Sequence, residues 1–204
     1  MISTQMIVLA KQPYKEAALL LSGLSPDYGR LNLVANGAQK LSEKKFPAAD
    51  LFRELEVEFN EEGASDLFTA KQLELAAAFD ALADNPKHFQ LAGRIGSFLL
   101  KNAVPAVPQP LTYDALRCIL DQLSRPADAP ERWTMEQCAV VIRATYLYEN
   151  GMLPEVQSER ESDFLENLVA AGVECSALPE CWPDYWKTLN RWLGDLCDYH
   201  HLQK

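Results

Sequence analysis

The sequence predicts an α+β protein in which a five-stranded antiparallel barrel at the amino terminus is followed by an all-helical domain. Over about the first 75 residues, short apolar runs with a two-residue period are separated by turn signals, as in β-strands. After residue 80, apolar residues recur at helical spacing behind residues that cap helices. We therefore expect two domains, over residues 1–80 and 81–204.

The apolar runs on the two sides of Gly29 predict an antiparallel hairpin. Leu19 and Leu21 keep a two-residue period before the turn, and Leu31 and Leu33 keep it after the turn. Glycine suits the connection because it accepts the positive φ that such turns require. We expect a curved antiparallel sheet to begin here.

Three further runs complete the predicted sheet. Ser3–Ala10 is largely apolar, and Pro13 is expected to stop it. Leu51–Phe59 alternates apolar residues with glutamates, which indicates a half-buried strand with an acidic outer face. Asp66–Leu75 is expected to be the fifth strand, although its composition would also suit a helix. Five strands in about 75 residues are what an OB-type barrel needs.

Cap and proline signals after about residue 76 predict the helical domain. Asn85 followed by Pro86 has the form of an N-cap and a first helical position. Thr134 and Ser158 each begin a capping-box sequence. Three prolines within residues 104–110 predict a stiff extended connector. The predicted helices cover residues 85–102, 112–123, 134–151, 158–172 and 183–200.

Composition predicts a soluble, cytoplasmic protein without a cofactor. No apolar run approaches the length of a membrane span, and the first ten residues lack the features of an export signal. In such a chain the five cysteines are expected to be reduced, buried thiols. Cys175 and Cys181 with His200 and His201 form a weaker alternative, a zinc set, because the two cysteines are further apart than paired zinc ligands usually are.

The charge is unevenly distributed along the chain. The net charge of −10 is unfavourable for a nucleic-acid binder, whose affinity rests largely on neutralised phosphates. Residues 1–45 nevertheless carry six basic and three acidic residues, a net charge of +3. Residues 46–80 have a net charge of −7, and residues 81–204 have −6. Only the opening segment is locally basic.

Several short motifs follow one another between residues 13 and 38. P-Y-K-E at residues 13–16 is followed by an apolar strand, by G-R at residues 29–30 and by A-N-G-A at residues 35–38, with a basic residue close behind. In this order and spacing, they resemble the amino-terminal domain of the bacterial recombination mediator RecO, a small OB-type barrel. The resemblance implies annealing of complementary DNA strands and loading of recombinase through RecR and single-strand DNA-binding protein. It implies no catalytic activity.

RecO-type proteins continue from the barrel into a helical domain, in the order predicted for this chain. Many of them insert a four-cysteine zinc module after a helix that ends in glycine and a few apolar residues. The equivalent point here is at residues 150–154, and residues 155–161 contain no cysteine. The resemblance therefore carries no metal site to this chain.

Basic residues interleaved with aromatic residues on an OB surface bind single strands through phosphate attraction and base stacking. The rings of Tyr14 and Tyr28 are candidates for stacking. The predicted DNA-binding residues are Lys11, Tyr14, Lys15, Arg30, Lys40, Lys44 and Lys45. The alternative is that the lysines are ordinary surface residues and that Tyr14 packs on the barrel.

The resemblance also implies partner proteins. RecO-like proteins join RecR and receive the acidic, apolar carboxy-terminal tail of single-strand DNA-binding protein on their helical domain. A pocket for that tail needs arginine or lysine beside an apolar groove, and the candidates are Arg94, Lys101, Arg143 and Arg191. The last helix also carries an aromatic stripe, which is more often core than a partner groove. The stripe consists of Trp182, Tyr185, Trp186 and Trp192.

The sequence offers no enzyme signature. His88, His200 and His201 lie on or at the ends of predicted helices, and no serine or cysteine sits in a nucleophile motif. Gly93–Gly96 lies inside a predicted helix and is not a phosphate loop. We therefore expect a non-catalytic, RecO-like mediator of DNA recombination and repair. The alternative is an acidic protein–protein adaptor with an OB fold that has lost DNA binding.

Overall fold

The computed structural model describes residues 1–15, 17–39, 46, 48–60, 66–126, 128–130, 132–155 and 158–203. Their contacts divide the chain into two compact units. The first contains Met1–Asp80 and Gly96–Pro110, and the second contains Ala81–Ile95 and Leu111–Lys204. Residues 96–110 thus belong with the amino-terminal unit, whereas the predicted boundary at residue 80 places them with the helices.

Five strands form a closed barrel in the first unit. They are β1 (Ile2–Tyr14), β2 (Ala18–Ser25), β3 (Gly29–Asn36), β4 (Arg53–Asn60) and β5 (Leu67–Ala78). Their order around the barrel is β1-β2-β3-β5-β4. The predicted fold class, a five-stranded barrel followed by helices, is confirmed. The strand interpretation of Asp66–Leu75 is confirmed as well, because this segment lies almost wholly within β5.

One pairing differs from the antiparallel sheet that the sequence predicts. Strands β3 and β5 run parallel, with Asn32 opposite Leu67 and Val34 opposite Thr69, while the other four pairings are antiparallel. A closed ring with an odd number of strands cannot reverse direction at every step. One parallel pairing is therefore needed to close this barrel.

Apolar side chains at alternate positions along the strands fill the barrel interior. Leu21 on β2 and Leu33 on β3 are fully buried, and they lie opposite each other in the ladder. Phe59 on β4 is also buried, and its ring lies 5.5 Å from that of Tyr28, edge to face, and 5.0 Å from that of Phe68. Tyr28 is thereby packed against the core, which makes it a poor candidate for stacking on a base.

Strand β1 continues past Pro13, which was predicted to stop it. Pro13 lies opposite Leu19, and Tyr14 lies opposite Ala18. Beyond Ile7, β1 is paired with β2 and no longer with β4, so a residue without an N–H is tolerated there. The prediction of a strand end at this proline is therefore wrong.

The proline-rich connector, predicted to be extended, pairs with the turn between β2 and β3. The Ala106 N–H donates to the Tyr28 carbonyl at 2.9 Å, and the Gln109 N–H donates to the Pro26 carbonyl at 2.9 Å. Gly29 has a φ of +57°, and a Cβ there would lie 2.4 Å from the Val107 carbonyl oxygen. These contacts explain why residues 96–110 pack with the barrel, and why the turn carries glycine.

The described residues after the barrel form a short 3-10 helix (Asp80–Asp84) and five α-helices, as predicted. The helices are α1 (Pro86–Asn102), α2 (Pro110–Ser124), α3 (Met135–Glu149), α4 (Glu159–Glu174) and α5 (Pro183–Tyr199). The predicted caps at Asn85 and Thr134 are present, the second as a complete capping box. The box predicted at Ser158 is wrong, because its side chain makes no capping hydrogen bond. Gly93–Gly96 lies within α1, as predicted.

Side-chain bonds tie elements of the second unit together. The His88 Nδ1 lies 2.8 Å from the Leu123 carbonyl, and the His88 Nε2 lies 2.6 Å from Arg132 Nη2. Since a carbonyl only accepts, Nδ1 carries the hydrogen and Nε2 accepts from the guanidinium. Both ring nitrogens of His88 are thus bonded to other groups of the second unit.

A disulfide joins Cys118 on α2 to Cys175 at the end of α4. The expectation that all five cysteines are reduced is therefore wrong for this pair. Gly172, one turn before the disulfide, allows the close approach of α4, since a Cβ there would lie 2.6 Å from Val141 Cγ1. The alternative zinc set fails for the same reason, because Cys175 is already bonded to Cys118.

Within the described residues, no helix is long and apolar enough to cross a membrane.

Candidate nucleic-acid and partner interfaces

A polar pocket of about 260 Å³ lies on the outer surface of β1, β2 and β3. Its lining residues are Ala10, Lys11, Gln12, Leu20, Ser22, Arg30, Asn32 and Leu100. Ser22 and Asn32 lie opposite each other in the ladder, and the Ser22 hydroxyl donates to Asn32 Oδ1 at 2.6 Å. We call this the barrel pocket. It brings two of the predicted DNA-binding residues, Lys11 and Arg30, to one place.

Arg30 is held in the barrel pocket by the end of α1. It points away from the core because its neighbour Leu31 faces inward. Its Nη1 donates to the Leu100 carbonyl at 3.1 Å, and its Nε is buried without a hydrogen-bond partner in the described structure. A guanidinium fixed in this way is prepared for an oxyanion, because phosphate and carboxylate oxygens are its best acceptors.

Lys11 is already paired with a carboxylate. Its Nζ donates to Asp50 Oδ1 in an ion pair whose two side chains are 36% and 48% exposed. Burial acts to raise the pKa of Asp50, but hydrogen bonds from Lys11 and from the Leu51 N–H, with the charges of Lys11 and Arg53, lower it below its ordinary value. Asp50 is therefore ionised near pH 7, and it competes with any phosphate for Lys11.

Tyr14 and Lys15 stand at the end of β1, beside the hairpin turn. Lys15 is exposed and has a φ of +53°, and its Nζ lies 5.3 Å from the centre of the Tyr14 ring. Tyr14 itself is half-buried. The other predicted DNA-binding residues, Lys40, Lys44 and Lys45, lie outside the described residues.

The acidic strand β4 belongs to a different part of the barrel from the pocket. Glu56 is exposed and Glu58 is half-buried, and they lie opposite Gln5 and Ser3 in the first half of β1. Glu54 is buried, so the predicted acidic outer face contains one carboxylate fewer than the sequence suggests. The barrel pocket involves the second half of β1, where the pairing with β4 has ended.

The predicted partner-binding residues are spread over three helices. Arg94 and Lys101 are exposed on α1, and Arg191 is exposed on α5. Arg143 on α3 is half-buried, and its Nη1 donates to the side-chain oxygen of Asn190. None of the four is among the described residues that line the groove described next.

A groove of about 580 Å³ lies between α4 and α5, and the sequence reasoning did not single it out. Its lining residues are Pro154, Glu155, Glu161, Leu165, Tyr185, Thr188, Leu189 and Trp192. It divides the aromatic stripe: Tyr185 and Trp192 line the groove, Trp186 is buried, and Trp182 is 69% exposed. The signal in the sequence is the spacing of Tyr185, Leu189 and Trp192, which places them on one side of α5.

The described residues contain no group of three or more histidine, cysteine or acidic side chains that could hold a metal ion. The described lining residues of the barrel pocket and of the α4–α5 groove include no histidine or cysteine. The chemistry that these two surfaces offer is hydrogen bonding, charge and apolar contact.

A closed five-stranded barrel with one parallel pairing between β3 and β5 is an OB-type domain, a class that binds oligonucleotides on the surface of strands 2 and 3. Residues 1–79 match the family model described as Recombination protein O N terminal. The amino-terminal domain of this chain is therefore a RecO N-terminal domain, and the resemblance predicted from its motifs is confirmed. No curated protein matches the chain. The match associates the amino-terminal domain with DNA recombination and repair.

Proposed function

We propose that this protein is a RecO-like mediator that binds single-stranded DNA with the outer surface of β1–β3. The observation that carries the proposal is the barrel pocket, where Arg30 and Lys11 meet the polar side chains of Ser22 and Asn32. Arg30 would bind a phosphate through its donors, and Tyr14 would stack on a base, which contributes roughly 1–3 kcal/mol per base. Lys15, Lys40, Lys44 and Lys45 would add further positive charge along the strand.

Partner proteins complete this proposed role. A RecR-like protein and the acidic tail of a single-strand DNA-binding protein are the proposed partners, with Arg94, Lys101, Arg143 and Arg191 as contacts in the region after the barrel. The support is the order of a RecO N-terminal domain followed by helices. Residues 1–80 would hold the DNA, and residues 81–204 would hold the partners.

The second candidate function is an acidic adaptor that has kept the barrel and lost DNA binding. Two observations favour it. The charge of Lys11 is neutralised by Asp50, and Arg30 already donates one hydrogen bond to the Leu100 carbonyl. The net charge of −10 acts in the same direction, because it repels a polyanion.

Titration of oligo-dT binding against salt separates the two functions. About five phosphate contacts give a slope near −3.5 in a plot of log affinity against log salt for single strands. Lys11→Glu combined with Arg30→Glu should abolish this binding while the far-ultraviolet circular dichroism stays unchanged. Lys71→Glu combined with Lys87→Glu is the matched control, since both lysines are exposed and lie outside the barrel pocket. Unchanged binding by the Lys11 and Arg30 double variant would refute the barrel pocket as the DNA-binding site. Negligible binding by the wild-type chain at low salt would favour the adaptor function.

A further inference from the structure

The α4–α5 groove has an apolar floor and partly exposed aromatic walls. Leu165 from α4 and Leu189 from α5 are buried at its base. Tyr185 and Trp192 are half-buried at its sides. The ring of Phe164 supports Tyr185 edge to face at 5.3 Å, so the wall of the groove is fixed by packing. Such a groove accepts apolar side chains of about the size of leucine or phenylalanine, whose transfer from water to an apolar surface is favourable.

The rim of the groove is acidic. Glu155 and Glu161 are exposed lining residues, and the lining residues that the structure describes include no lysine or arginine. The helices α4 and α5 together contain eight acidic and three basic residues. Burial raises the pKa of Tyr185, and the negative charge of the nearby Glu161 carboxylate raises it further. The electrostatic potential at this groove is therefore negative.

We propose that the α4–α5 groove binds a peptide segment of a partner protein in which apolar side chains are flanked by lysine or arginine. The apolar side chains would cover Leu165 and Leu189, and the cationic side chains would meet Glu155 and Glu161. Beside an apolar surface, such pairs are screened less than in open water. An acidic segment would meet two like charges at the same place, so the rim selects against it.

This inference concerns a surface that the proposed function does not use. The residues proposed for the acidic tail, Arg94, Lys101, Arg143 and Arg191, do not line the groove. The barrel pocket lies in the first unit, and the groove lies in the second. A failure to bind DNA would therefore not contradict the proposal for the groove. A failure to bind the peptide would not contradict the proposal for the barrel pocket.

The test uses the full chain and two fluorescein-labelled octapeptides. One peptide has four apolar residues between two pairs of lysines, and the other carries glutamate in place of each lysine. Fluorescence anisotropy at low salt should show the lysine peptide binding at least about ten-fold more tightly, and the difference should shrink as salt is raised. Glu155→Lys combined with Glu161→Lys should remove this preference. Asp163→Lys combined with Glu166→Lys makes the same change of net charge at exposed positions of α4 that do not line the groove, and it should keep most of the binding.

Trp192→Ala provides a second variant that leaves the charges in place. This substitution should weaken binding of the lysine peptide, because it removes apolar contact. Urea denaturation checks that the variant is folded. Three outcomes would overturn the proposal. They are equal or tighter binding of the glutamate peptide, equal loss in the Asp163 and Glu166 control, and a dimer in sedimentation velocity that dissociates in the Glu155 and Glu161 variant. The last outcome would assign the groove to a second copy of this chain.

Discussion

The Lys11 ammonium donates a hydrogen bond to the Asp50 carboxylate, and this ion pair joins the second half of β1 to the segment that precedes β4. Lys11 and Arg30 are the two basic side chains among the described residues that line the barrel pocket. The charge that the pocket presents to a DNA strand is therefore set by a residue outside the locally basic segment. If the pocket binds phosphate as proposed, Asp50 would lower its affinity without occupying it.

Removing the Asp50 charge should strengthen DNA binding. In Asp50→Asn, Lys11 no longer has an anionic partner, and one negative charge is removed from beside the barrel pocket. We expect the affinity for oligo-dT to rise by about three- to ten-fold at low salt, and the salt slope to steepen by about 0.7, the value for one added phosphate contact. Fluorescence anisotropy with labelled oligo-dT measures both quantities.

The matched control for this change is Asp80→Asn. Asp80 is also paired with a basic residue, since Arg53 Nη2 lies 2.9 Å from its Oδ2. It does not line the barrel pocket. An equal gain in both variants would show that net charge alone controls the affinity, and that the Lys11–Asp50 pair has no special role.

The Lys11–Asp50 pair should also control the titration of Asp50. Because the folded-state pKa of Asp50 is lowered from 3.8, its contribution to stability is present above pH 3.8 and is lost as the pH falls through the lowered value. A carbon-13 NMR titration of the Asp50 carboxyl should therefore give a midpoint below 3.8. In Lys11→Gln, the midpoint should move upward, since burial then acts with less opposition. A midpoint that is the same in both proteins would show that Lys11 does not bind Asp50 in solution.

Gly29→Ala should destabilise the barrel. The residue has a φ of +57°, which costs a side chain roughly 1–2 kcal/mol, and the added Cβ would lie 2.4 Å from the Val107 carbonyl and 2.5 Å from the Val104 carbonyl. Backbone atoms must therefore move. We expect a loss of at least about 2 kcal/mol in the free energy of unfolding, measured with urea.

Gly93→Ala serves as the control for this substitution. Gly93 lies within α1, and a Cβ there meets nothing within 4 Å. Alanine should stabilise the helix by roughly 0.5–1 kcal/mol. A loss of stability at Gly93 equal to that at Gly29 would contradict the reason given for the glycine in the turn.

Alkylation of the cysteines should reveal the Cys118–Cys175 disulfide. Iodoacetamide added to unfolded, unreduced protein should label three cysteines, and five after reduction, as counted by mass spectrometry. In folded protein at pH 8, Cys138 should stay unlabelled, because burial raises its pKa to about 12 and leaves almost no thiolate. Cys181 is partly exposed and should react first. Five labels without reduction would show that the pair is reduced.

Local sequence signals predicted most of the elements. The hairpin around Gly29 could be found because apolar residues alternate on both sides of a residue that adopts positive φ. The starts of α1 and α3 could be found because Asn85 and Thr134 bond to the backbone a few residues away. Ser158 shows the limit of such signals, since it stands in the same sequence pattern and makes no such bond.

Long-range relationships account for what the sequence did not predict. The parallel pairing of β3 with β5 follows from closure of the barrel, which no single segment encodes. The partner of Lys11 is 39 residues away, and the disulfide joins residues 57 apart. Lys11 and Arg30 were predicted from the sequence as candidate site residues, and they line one pocket. Their bonds to Asp50 and to the Leu100 carbonyl depend on packing and could not be predicted.

The pairing of the connector with the hairpin turn determines where the barrel can be separated from the rest of the chain. A fragment ending at residue 79, where the family match stops, would keep every strand but lose the segment that bonds to the Pro26 and Tyr28 carbonyls. It would also deprive Arg30 of the Leu100 carbonyl. We expect autonomous folding only in a fragment that extends through Pro110, so that α1 becomes part of the smallest independent barrel.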